Sequence, residues 1–298
     1  MRTRWVWRWL SVLLLTGCGF WVWLAPCEQE GTLARIRKEG VVRIGYSVGA
    51  PYVFFDGNGE LTGSEIELAK SIVARMGIAK IDWQQTTFGS LLTELEAGRF
   101  DVIAAGMFIT SRKAKRVRFS EPTFRAVQGL LVRAGNPHAL HSYEDVATQP
   151  TLKLAVLHGS NESEMLRDMH MPESRIVLVP DARTGRVAVE TGLADGLAIS
   201  SPAISFMRAQ GTLGSTEAAA PFLRMRIGTW ARDGFGAFVF RLSDQELCES
   251  WNRQQANILA SGDNLRVRRK FGFTDEDLPT DRTTAQILSE YPARSRTR

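Results

Sequence analysis

Arg112, Lys113, Lys115, Arg116 and Arg118 fall within seven residues of the stretch GMFITSRKAKRVRFS, directly after a run that reads as a buried strand. Such a cluster suits a phosphate backbone, a solvated helix face or a clamp for one small anion. The formal charge of +5 does not decide among them until its distribution is read. Arg2, Arg4 and Arg8 lie near the start and Arg294, Arg296 and Arg298 at the end; without these six, the body of the chain stands at −1. A body so close to neutral lacks the broad cationic footprint that nucleic acid requires, so no nucleic-acid partner is expected. Arg112 and Lys113, nearest the strand end, are the candidates for an anion clamp together with Thr110. Lys115, Arg116 and Arg118 read as a solvated face.

A further group of candidates is Ser160, Asn161 and Glu162, where a strand-like run meets a helical pattern. Ser160 and Asn161 are N-cap residues in type. Glu162 has two readings, a general acid or a helix-N-terminal charge. His138, His141, His158 and His170 show no metal-ligand spacing such as HExxH, and no CxxC pair occurs. No metal, cofactor or catalytic set is expected.

The elements that must position these residues follow from hydrophobic period. Across 298 residues, 44% of them hydrophobic, there is room for two domains with a core in each. From Leu33 short apolar runs alternate with helical stripes, the pattern of βαβ units with a largely parallel sheet, an α/β fold. VVRIGYS (41–47), KIDWQQT (80–86) and FDVIAAG (100–106) read as strands. Residues 65–76 and FGSLLTELEAG (88–98) read as helices, stopped by Gly77 and Gly98. The latter half of the chain repeats this alternation, with strands in KLAVLHG, RIVLVP and DGLAIS, helices over 162–169 and 184–191, then a long amphipathic helix over 244–260. This divides the chain into a leader (1–30), a first lobe (31–130 with 226–280), a second lobe (131–225) and a basic polar tail (281–298).

The first 27 residues have an Arg-rich start, an apolar run and small residues, the layout of an export leader. Within it LTGC, ending at Cys18, resembles the lipobox of bacterial lipoproteins, whose cysteine is lipidated. The uncharged stretch 9–26, with tryptophans at both ends, also fits an uncleaved membrane anchor, and an ordinary cleaved signal fits as well. Each of these places the rest of the chain outside the cytoplasmic membrane. Cys27 and Cys248 could pair in an oxidising envelope, but spacing does not decide it.

Two stretches carry a family resemblance: GSEIELAKSIVARMG and FGSLLTELEAGRFDVIAAGMFITSRKAKRVRFSEPTF. They resemble the solute-binding proteins of ABC importers, in the class that includes polar amino-acid binders. The longer stretch most resembles the ectoine and hydroxyectoine binders. Ser64 departs from the class, which has an aromatic or aliphatic residue there. The resemblance runs from about Leu33 to Leu278 and implies a two-lobed type II periplasmic-binding-protein fold, with two hinge crossings and a cleft that closes on a solute. It implies a carboxylate clamp three residues after Thr110, where an arginine is usual and Lys113 stands, with Arg112 beside it. It also implies an aspartate for the ligand's amino group where this chain has Ser200. Asp195, five residues earlier, reads as a turn residue. Tyr52, Phe88 and Phe108 fall where ectoine binders have an aromatic box for a diffuse cation, but Gly49 stands where they typically have a glutamate. The implied function is capture of a small zwitterionic compatible solute by a monomeric binding protein that hands it to an ABC permease. A polar amino-acid binder, a dehydratase-like enzyme with Glu162 as its acid, and a sensor lobe are the alternatives. No output domain is read in the sequence.

Overall fold

The computed structural model describes residues 30–223, 233–279 and 282–290. Cys18 and Cys27, with the rest of the leader, lie outside the described residues.

Two mixed sheets organise the chain. In the first lobe β1 (Val41–Tyr46), β4 (Lys80–Gln85) and β5 (Val102–Phe108) run parallel, in the order β4-β1-β5. On the far side of β5 lies β13 (Gly234–Arg241), antiparallel to β5, β6 (Val117–Phe119) and β7 (Phe124–Ala126). A hairpin of β2 (Phe54–Phe55) and β3 (Leu61–Thr62) turns through the Asp-Gly-Asn-Gly stretch, where Asp56 Oδ1 accepts from the Asn58 amide at 2.8 Å. In the second lobe β9 (Leu154–Leu157) is parallel to β10 (Ile176–Val179) and β11 (Gly196–Ser200), whereas β8 (Gln128–Arg133) runs against β11 and β12 (Thr216–Ala218). The order across that sheet is β10-β9-β11-β8-β12.

The sheets are therefore mixed rather than largely parallel as expected. Parallel neighbours need a crossover connection, whereas β8 and β13 both run antiparallel to their neighbours. Only Val127 separates β7, in the first sheet, from β8, in the second. The change of sheet thus comes earlier than the expected 130/131 division.

The helix Ser64–Arg75 buries Ile66, Leu68, Ala69, Ile72 and Val73, and has Glu65 and Glu67 in its first turn where the helix dipole favours acids. With the long helix Gln245–Ala260 it covers one face of the first sheet, where Trp251 is fully buried and edge-on to Phe238 and Phe240 at 4.9 and 5.7 Å. The other face is covered by the helix Leu91–Glu96 and, unexpectedly, by the helix Thr284–Glu290. Residues 281–298 read as a polar tail, yet Ile287 enters the core, and Thr284 donates through its hydroxyl to the Ser120 carbonyl at 2.6 Å. One buried isoleucine in seven residues gives too weak a period to reveal the helix in sequence.

Candidate functional site

A small cavity of about 60 Å³ lies between the lobes, enough for a few water-sized volumes. Its first-lobe wall is mainly aromatic and apolar, with Tyr52, Phe88 and Phe108 beside Ser47, and its second-lobe wall carries the polar groups Ser160, Asn161, Glu162 and Ser200. Seven of the ten expected ligand-binding residues thus line one space. The other three, Thr110, Arg112 and Lys113, are not among its lining residues.

Tyr52 is anchored from behind. Its ring packs against Phe124, tilted, and Phe273, edge-on, at 4.9 and 5.9 Å, and Phe124 also meets Phe108 at 5.8 Å. The close approach depends on Gly106, held at φ +64°, where a Cβ would stand 2.7 Å from the Tyr52 ring. Beneath the rings lies a buried ion pair, Arg268 to Glu65 at 2.7 Å, with the Arg268 guanidinium over Phe124 and Phe273. The Tyr52 hydroxyl then crosses the cleft to within 3.0 Å of Ser200 Oγ. Burial pushes the Tyr52 phenol well up from its ordinary value, opposed by the Ser200 hydrogen bond, so it stays neutral and available as a donor.

The second-lobe wall is built from helix starts. Ser160 caps the helix Asn161–Asp168 by accepting from the Ser163 amide at 3.1 Å, as its sequence position predicts. Ser200 precedes the helix Ser201–Ala209, and Ala182 begins the helix Ala182–Glu190; both border the cavity. On the first-lobe side Thr110 leads into a single 3₁₀ turn, Lys113–Lys115, with Thr110 Oγ1 accepting from the Lys113 amide at 3.2 Å. Thr110 holds that turn and not the cavity wall.

Lys113 is not free to clamp a carboxylate in this closed form. It is 4% exposed, and its Nζ lies 2.7 Å from Glu164 Oε1 of the opposite lobe, an ion pair rather than a well-directed hydrogen bond. Arg112, half-exposed at the rim, donates to Asp168 Oδ1 at 2.8 Å and lies 3.7 Å from Glu164 Oε2. Both candidates for the clamp thus face carboxylates of the second lobe. Arg116, expected to be merely solvated, pairs with Glu96 at 2.6 Å. Glu164 and Asp168 escape a reading of the sequence, although their spacing of four puts them on one helix face, a signal that two basic residues would complement.

Glu162 is the carboxylate on the cavity wall, 5% exposed. Burial pushes its carboxyl up from the ordinary range, against hydrogen bonds from its own backbone N–H and from Ser160 and against the charge of Lys113; Glu164 adds to the rise. Asp195 is remote from this site: it accepts from the Lys153 amide at 2.8 Å and lies 3.4 Å from His138 Nε2. Cys248 is a free, buried thiol directed at the Phe119 carbonyl. Among the described residues, no cluster of three His, Cys, Asp or Glu side chains could hold a metal ion, and no helix is long and apolar enough to cross a membrane.

Comparison with known proteins matches residues 42–274 to the family described as bacterial extracellular solute-binding proteins, family 3. A probable amino-acid ABC transporter periplasmic-binding protein of Sinorhizobium fredii (strain NBRC 101917 / NGR234) is 31% identical over 87% of this chain and 86% of its own length. Among solved structures, EhuB in complex with hydroxyectoine superposes with a TM-score of 0.78 at 23% identity, covering 87% of this chain and 98% of that one, a likeness of fold. The ancestral amino acid-binding protein AncCDT-1, a precursor of cyclohexadienyl dehydratase, superposes with a TM-score of 0.71 at 27% identity, covering 81% and 99%.

Proposed function

This chain belongs to the bacterial extracellular solute-binding proteins of family 3, and from that footing we propose that it captures a small zwitterionic solute, of the ectoine or hydroxyectoine kind, in the cavity between its lobes for an ABC importer. The observation that carries this reading is the cavity itself: aromatic rings from one lobe face helix starts and hydroxyls from the other, and Tyr52 bonds across to Ser200. Rings of this kind attract a diffuse, weakly hydrated cation. With Ser200 in place of the expected aspartate, a compact primary ammonium loses its usual partner, which favours a delocalised or quaternary cation. Closure adds contacts that the open form lacks, so a ligand binding between the lobes shifts the population towards the closed form. Calorimetry on the purified protein with ectoine, hydroxyectoine, glycine betaine and a set of polar amino acids tests this. Saturable binding of the first three is the expected result, and no response to them sinks the reading.

A polar amino-acid ligand is the alternative reading, favoured by the name of the Sinorhizobium fredii relative; the same panel separates the two. Catalysis on this scaffold would need Glu162 as the acid, and mass spectrometry of a recovered ligand would find it altered. We further propose anchoring by lipid on Cys18 and a monomeric state. Incorporation of labelled palmitate that is lost in Cys18→Ser tests the first, and sedimentation the second.

A further inference from the structure

Three charged side chains are buried where the lobes meet: Lys113, Glu162 and Glu164. Lys113 and Glu164 neutralise one another at 2.7 Å. Arg112 and Asp168 pair outside them at the rim. Glu162 is left over. Among the described residues no cationic side chain is in ion-pair contact with it, because Lys113 is paired with Glu164. A buried carboxylate with no cation in direct contact is costly to ionise, and the cost is relieved by a proton or by a cation that enters the cavity.

Around this carboxylate the cavity offers rings for a cation and, among the described residues, no unengaged buried cation for an anion. Lys113, at the position where the family resemblance implies a carboxylate clamp, is held by Glu164 and does not line the cavity. The two positions where a ligand-facing acid is expected hold Gly49 and Ser200, and both border the same cavity as Glu162. Glu162 and Tyr52 line this same cavity, the acid from the second lobe and the ring from the first.

We propose that Glu162 is the specificity-determining residue of the cavity: it pairs with the ligand's cationic group, and that group, rather than a carboxylate, is what the protein selects. This inference rests on reading the interlobe cavity as a solute site. The solute class that follows is a small organic cation with charge spread over an amidinium or quaternary ammonium, with or without a carboxylate.

The test is calorimetry of the wild type and Glu162→Gln against four probes: ectoine and glycine betaine, which carry both charges, and acetamidinium and choline, which carry only the positive one. Removing a buried charge from a hydrogen-bonded contact weakens binding roughly tenfold to a hundredfold. The expected result is that all four bind the wild type and all four are weakened to that extent in Glu162→Gln, whose melting temperature shows it folded. If Glu162→Gln binds as the wild type does, or if the wild type accepts only carboxylate-bearing probes, this inference is overturned while capture of a zwitterion stands. If only the carboxylate-free cations bind and they depend on Glu162, this inference stands and capture of a zwitterion falls. If none of the four binds, both fall.

Discussion

Lys113 of the first lobe and Glu164 of the second form a buried ion pair across the cleft, with Nζ 2.7 Å from Oε1. Because the pair bridges the two lobes, opening the cleft would separate its charges, so its energy favours closure. It also takes the residue at the position where the family resemblance implies a carboxylate clamp and engages it with the opposite lobe.

Breaking that pair by Lys113→Met leaves Glu164 enclosed and disfavours closure by about 3 kcal/mol, roughly a hundredfold in Kd. Adding Glu164→Leu removes the orphaned charge and restores much of the loss. Arg112→Ala, which removes a rim pair open to water, changes Kd by no more than about fivefold. Calorimetry of the three variants checks the order; a loss for Arg112→Ala as large as that for Lys113→Met would refute the assignment of Lys113 as the latch.

Tyr52→Phe removes the hydroxyl that reaches Ser200 and keeps the ring that packs on Phe124 and Phe273. A net hydrogen bond of about 1 kcal/mol predicts roughly fivefold weaker ligand binding. Small-angle scattering with ligand should show a larger open fraction, and an unchanged profile at unchanged affinity would count against the cross-lobe bond.

Gly106→Ala should both destabilise the first lobe and weaken binding. At φ +64° an alanine is strained by about 1 kcal/mol or more, and its Cβ would displace the Tyr52 ring. Thermal unfolding and a binding isotherm read the two effects. A variant that melts like the wild type would show that the strand bends without cost.

The pH dependence of the ligand-free protein follows from Glu162. Its carboxyl lies above the ordinary value of 4.5, because burial outweighs the opposing hydrogen bonds and the charge of Lys113. The folded state therefore holds this proton more tightly than the unfolded chain. Its contribution favours the fold below the ordinary value and is lost as pH rises through the raised one. Asp101 acts in the opposite sense: although buried, its carboxyl is held below the ordinary range by hydrogen bonds and charge from Arg43 and Arg35, so its contribution is lost on acidification. The difference in melting temperature between the wild type and Glu162→Gln isolates the first effect. It should shift against the wild type as pH rises above 4.5; a constant offset across pH would mean that Glu162 titrates normally.

The strands and helices that carry the site are legible in sequence because their apolar runs and stripes have clear periods. VIAAGMF is buried almost throughout, as a strand covered on both faces must be. Ser160 announces its helix by type and position. The aromatic positions Tyr52, Phe88 and Phe108 are legible too, through the stretches that resemble ectoine binders. The helix Thr284–Glu290 is not, because it presents a single buried side chain, and its place is fixed by Ser120 and Glu121, 164 and 163 residues away in the chain.

What the sequence determined by itself is therefore the α/β pattern, the family resemblance and the residue types available to a cleft. What only the tertiary structure decided is which charges meet. The step Ser111–Arg112–Lys113 reads equally as a clamp for a ligand or as a surface turn, since a local pattern records no partner from the other lobe. Closure brings Glu164 to Lys113 and Asp168 to Arg112 and leaves Glu162 facing the cavity. Coulomb energy depends on distance and burial, and neither exists until the two lobes stand against each other.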